Sequence, residues 1–127
     1  MIIELDMSSS TPIYVQLRNQ IVKGIGKGEL KTGEKLPTVR QLASDAGVNT
    51  MTVNKAYQIL KNEGFIRTDR RLGAFASESI ADDTDFTEKL ESELELLSAE
   101  ACLTGMSREE FLSMCDKIYS QMKPCTA

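Results

Sequence analysis

Residues 36 to 75 carry two short helical patterns with a glycine between them and a strand-turn-strand pattern after them, an order few folds accept. Thr38 follows a proline and precedes helix formers, so its hydroxyl is placed to accept from a first-turn N–H and cap a helix running to about Ala46. Gly47 stops that helix, because glycine enters left-handed backbone without Cβ strain, and a second polar cap, Asn49, follows at once. The spacing predicts a sharp turn between two helices. From Thr50 onward Val53, Ala56, Tyr57 and Leu60 recur at three and four residues, forming one buried stripe on a second helix that ends near Gly64. Thr50, Met51, Thr52, Asn54 and Lys55 are left along the other faces of its first turns.

A short helix, a glycine turn and a second helix make the unit whose second helix lies in the DNA major groove with its N-terminal residues towards base edges. The plainer alternative is a helical hairpin in a small α domain. Residues 65–68 and 74–76 read as two short strands around a charged turn at 69–73. A hairpin there is a wing, and Arg70 and Arg71 at its tip suit phosphate or minor-groove contact. Upstream, Ser10 or Thr11 is placed to cap a helix with Pro12 at its first position. Ile13, Leu17, Ile21 and Ile25 repeat along it as a core stripe, while Gly24 and Gly26 each weaken its end by about 1 kcal/mol, predicting fraying towards Gly28. Residues 1–5 read as a short extended arm.

These residues resemble the GntR family of bacterial transcription regulators. The resemblance is carried by Pro12-Ile13-Tyr14 opening a helix, by residues 28–37 (GELKTGEKLP) leading into the motif, and by residues 62–66 (NEGFI) leading out. It covers roughly residues 11 to 76. Only about fifty residues follow the wing, which is similar to the YtrA subfamily, whose tail is a small helical dimerisation unit. The resemblance implies DNA contacts at Arg40, at Thr50, Met51, Thr52 and Asn54, and at Arg70 and Arg71. Many relatives have arginine where this chain has Thr50 and Asn54, so a bidentate arginine-to-guanine contact is missing at those positions. Arg71 stands where relatives have the first glycine of the wing.

A net charge of −4 argues at first against a polyanionic partner, but its distribution does not. Residues 1–80 hold 11 Lys and Arg against 8 Asp and Glu, a net of +3, whereas residues 81–127 hold 4 against 11, a net of −7. The positive half contains the helix-turn-helix, and the local field at the contact surface governs phosphate attraction. With 127 residues and 41% hydrophobic content, the chain has material for one moderate core or two small ones. No apolar run approaches about eighteen residues and no secretion signal opens the chain, so a cytoplasmic protein without membrane contact is expected. Cys102, Cys115 and Cys125 have no paired metal-ligand spacing and there is no histidine, so neither metal nor cofactor is expected.

After the wing, residues 81–85 form an acidic joint. Phe86, Leu90, Leu94, Leu97 and Ala101 then make an apolar stripe on a helix of about seventeen residues ended by Gly105. Ser107 with Glu110 is a capping-box pattern opening another helix that carries Phe111, Met114, Cys115, Ile118 and Met122. Two helices alone cannot enclose these side chains. Either they fold back on the first domain or they pair with a second copy, and a homodimer matches both the subfamily and the need to read two half-sites. Cys102 and Cys115 read as small packing residues rather than a redox pair, and the acidic residues from Glu88 to Glu100 as a solvated helix face.

The expected architecture is mostly α with a small β-hairpin: a winged helix-turn-helix over residues 1–80 and a two-helix dimerisation tail over 81–127. The expected function is a sequence-specific regulator, a repressor binding an inverted-repeat operator on double-stranded DNA. The alternative is a winged-helix interaction or architectural module without sequence preference. The polar, groove-facing set Thr50, Thr52, Asn54 and Lys55 favours the first, since protein-binding surfaces present aromatic and apolar anchors. No phosphate loop, nucleophile motif or cofactor fingerprint supports an enzyme, and nothing specifies a small-molecule effector.

Overall fold

The computed structural model describes residues 3–77 and 84–123; the joint at 81–83 and Cys125 lie outside them. Two compact units divide between residues 80 and 81, with Lys123 grouped with the first. The first unit runs α1 (Ile13–Gly26), α2 (Val39–Ala46), α3 (Thr50–Glu63), β1 (Ile66–Asp69) and β2 (Gly73–Ala76); the second holds α4 (Thr84–Leu103) and α5 (Arg108–Ser120).

In the first unit the predicted stripes meet. Leu17 and Ile21 of α1, Val53, Ala56 and Leu60 of α3, and Ala76 of β2 are fully buried in one core, closed by Leu36, Leu42 and Ile66. Each fully buried large aliphatic side chain contributes roughly 1.5–3 kcal/mol against leaving it in water, so this α1–α3 seam fixes the attitude of α3. Thr38 caps α2 by accepting from the Gln41 N–H at 3.1 Å, and Gly47 closes it in left-handed backbone at φ +72°.

The start of α1 differs from expectation. Pro12 is the cap residue, in extended backbone, and neither Ser10 nor Thr11 caps the helix with a side chain. Gln16 explains this: its amide donates to the carbonyls of Asp6 and Thr11, tying the incoming chain to the helix side instead. Gln16 and Gln20 also accept from the N–H groups of Asp6 and Glu4, so their carboxamides hold the N-terminal arm much as a neighbouring strand would. The helix ends at Gly26, before Gly28. Its last carbonyls are used, that of Lys23 by Lys27 N–H, of Ile25 by Gly28 N–H and of Gly24 by Leu30 N–H at 3.0 Å.

The wing is antiparallel, with register from Ile66 opposite Ala76 to Asp69 opposite Gly73, so the turn is Arg70-Arg71-Leu72. The chain before α2 adds to its free edge: Leu36 N–H donates to Ala74 O at 2.8 Å and Ala76 N–H to Glu34 O at 3.0 Å. The wing and the entry to α2 are therefore one backbone network.

Tyr57 ties α3 to that entry, its hydroxyl donating to the Pro37 carbonyl at 2.7 Å. Burial pushes its pKa up to about 12. The folded state thus favours the neutral phenol, so this contribution is intact below pH 10 and is lost as pH rises through about 12. Tyr57→Phe is expected to lower stability near neutral pH by about 1 kcal/mol and to remove that part of the alkaline loss. Chemical unfolding of both proteins from pH 7 to pH 12 checks it; parallel curves would show that Tyr57 carries no proton linkage.

In the second unit, Gly105 at φ +89° ends α4, and Ser107 caps α5 by accepting from the Glu110 N–H at 3.1 Å. The Ser107 hydroxyl donates to the Glu110 carboxylate. No residue of α5 is buried, and Phe86, Leu90, Leu94, Leu97, Met114 and Ile118 are all exposed, with Phe111 half-buried. Cys102 and Cys115, on the same two helices, are exposed as well.

Candidate nucleic-acid interface

The candidate surface comprises two helix starts and the wing. Asn49 caps α3 by accepting from both the Thr52 N–H at 2.9 Å and the Thr52 hydroxyl at 3.0 Å. The helix so capped places Thr50, Met51 and Asn54 outward, all exposed, while Val53 and Ala56 face the core. Thr52 is half-buried with its hydroxyl proton engaged by the cap, which leaves only its oxygen lone pairs and methyl for a partner. Lys55 turns away from this set: its ammonium lies 4.0 Å from the centroid of the Tyr14 ring on α1. That cation–π contact makes Lys55 a clasp between α3 and α1 in the free protein.

Arg40, the second residue of α2, is exposed beside the start of α3. Val39, Arg40, Thr50, Met51 and Asn54 line one open cleft. Asn54 also borders a second cleft of about 290 Å³ towards the wing, whose rim carries Lys35, Gln58, Lys61 and Thr68. Asn54 is thus the crest between two grooves. Sequence reasoning passed over Lys35, Gln58 and Lys61. Gln58 and Lys61 follow Asn54 at helical spacing and were findable, whereas Lys35 reaches the cleft only through its bridge to Phe75 on β2.

At the wing tip the Asp69 carboxylate accepts from the N–H groups of Arg71 at 2.7 Å and Leu72 at 3.0 Å. These bonds hold it below the usual carboxylate range. They also shape the turn so that Arg71 needs no left-handed backbone: among the described residues every positive φ belongs to glycine, here Gly73 at +105°. Arg70 and Arg71 are exposed, and so is Leu72 beside them. Arg67 stacks on Phe75 across the strands, its guanidinium 4.8 Å from the ring centroid.

Three helices, a two-stranded wing and a polar, cation-rimmed start of the third helix define a winged helix-turn-helix protein. Residues 11–75 match the family of bacterial regulatory proteins called gntR, and the chain belongs to that family. It is 47% identical over 77 residues to the HTH-type transcriptional repressor YtrA of Bacillus subtilis (strain 168), a match spanning 61% of this chain and 59% of that protein. Among solved structures, a transcriptional antiterminator from Listeria monocytogenes EGD-e superposes with a TM-score of 0.88 at 26% identity, covering 100% of this chain and 97% of that one. YtrA from Sulfolobus acidocaldarius, a GntR-family transcription factor, gives 0.68 at 41% identity over 78% of this chain and 99% of that one. The DNA-binding domain of AraR in complex with operator ORX1 gives 0.54 at 26% identity, over 58% of this chain and 93% of that one. Among the described residues no helix is long and apolar enough to cross a membrane.

Proposed function

We propose that this chain is a sequence-specific repressor of transcription that binds an inverted-repeat DNA operator as a homodimer. In this reading residues 1–80 bind DNA and residues 81–127 join two copies. The observation that carries it is the first turn and a half of α3: Thr50, Met51 and Asn54 are held outward by a capped helix whose opposite side is locked in the core. A helix start fixed in this way serves base readout, which demands placement to fractions of an ångström. Support also comes from the repressor name of the B. subtilis relative and from the operator complex of AraR, whose DNA-binding domain shares the fold. Arg40, Lys35 and Lys61 on the groove rims and Arg70 and Arg71 on the wing would contact phosphates, with Thr52 offering its methyl to the groove. Lys55 would join them by leaving Tyr14.

Contact types separate under mutation. Asn54→Ala is expected to lower affinity for the preferred site by about 1–3 kcal/mol and to relax preference at one position of each half-site. Arg70→Ala and Arg71→Ala should weaken preferred and altered sites by similar factors. Fluorescence anisotropy over a panel of single-base operator changes tests this, and an unaltered preference profile in Asn54→Ala would remove α3 from base readout.

A further inference from the structure

The cleft between the starts of α2 and α3 combines two chemistries that no purely phosphate-binding surface needs. Met51 is 79% exposed at the second position of α3. A single exposed apolar side chain is ordinary on any surface. Here, however, it shares one cleft with the half-buried Val39 of α2, and Asn54 stands three residues on along the same helix face. The result is an apolar contact surface beside a carboxamide, on the element that faces the groove under the proposed function.

In the major groove only thymine presents a methyl group, and only adenine presents an acceptor at N7 beside a donor at N6, the pattern a carboxamide matches in a bidentate pair. Guanine offers two acceptors, which call for a two-pronged cationic donor. Thr50, Met51 and Asn54 supply none. Arg40, the one cation lining this cleft, comes from the other helix, α2, and is assigned to a phosphate under the proposed function.

We propose that this cleft reads A·T base pairs: Met51, backed by Val39, packs on a thymine methyl, while the Asn54 carboxamide pairs with N7 and N6 of an adenine in the same half-site. The inference rests on the reading of α3 as a major-groove helix and deepens it by naming the bases recognised.

The test uses the full chain and an operator selected from random duplex DNA. Each thymine is replaced in turn by deoxyuridine, which lacks the methyl but keeps the same base pairing. One position per half-site should lose affinity about fourfold, the worth of one buried methyl-sized group. In Met51→Ala that position should become indifferent to the methyl, and exposure of Met51 means that this variant keeps its fold. In parallel, 7-deaza-adenine at one adenine per half-site should lower wild-type affinity at least about fivefold and leave Asn54→Ala unaffected. The proposal is overturned if the wild type prefers its selected operator over a scrambled one yet no deoxyuridine replacement weakens it, or if the methyl effect survives in Met51→Ala. A protein that selects no sequence at all would sink the operator reading and this inference together.

Discussion

Leu94→Asp in the full chain is expected to lower apparent operator affinity by about 100- to 10,000-fold while leaving the winged helix folded. Phe86, Leu90, Leu94 and Leu97 lie at spacings of four, four and three along α4, one stripe in helical periodicity. In a single chain Phe86 is 51% and Leu94 39% exposed, although both belong to the stripe that the sequence reserves for burial. Under the proposed homodimer a second copy covers that stripe. An aspartate there is an unpaired charge in an apolar contact, which several kcal/mol of desolvation oppose. Because one winged helix reads one half-site, breaking the pair turns an intramolecular second contact back into a bimolecular one. Sedimentation and operator titration of the variant beside the wild type measure both links. A variant that remains dimeric and binds as tightly would assign the tail another purpose.

Raising salt from about 50 to 200 mM should reduce operator affinity roughly 1,000- to 100,000-fold, since two copies together neutralise on the order of six to ten phosphates under the proposed function. The cations available are specific ones: Arg40 at the start of α2, Lys35 and Lys61 on the rims of the wing-side cleft, and Arg70 and Arg71 at the wing tip, all exposed. Their effect persists despite a whole-chain charge of −4 because the acidic excess lies in residues 81–127. Removing both wing arginines should flatten the slope by about 2 per half-site. Affinity independent of salt would place these side chains away from the phosphates.

The fold was legible wherever local chemistry decides structure. Thr38, Gly47, Asn49 and Gly64 act through bonds to residues a few positions away, so helix limits followed from residue type alone. The tertiary clasps were not legible in that way. Lys55 counted as one more groove-facing cation, since its contact with Tyr14 exists only after α1 packs on α3. The cap of α1 moved to Pro12 because the Gln16 side chain engages the arm, a competition that propensity does not register. For the site, sequence named Arg40, Met51 and Asn54 separately, and the fold gathers them in one cleft. The replacement of a wing glycine by Arg71 raised a question of backbone geometry that spacing could not answer. The Asp69 carboxylate answers it by bonding the two N–H groups of the turn.

Selection of bound duplexes from a fully random pool by the intact chain tests the central claim most directly. The expected result is enrichment of an inverted repeat whose half-sites are centred one helical turn or a small multiple apart and contain A·T pairs at the positions set by Met51 and Asn54. Recovery of a pool no different from the input, with duplexes bound regardless of sequence, would contradict it.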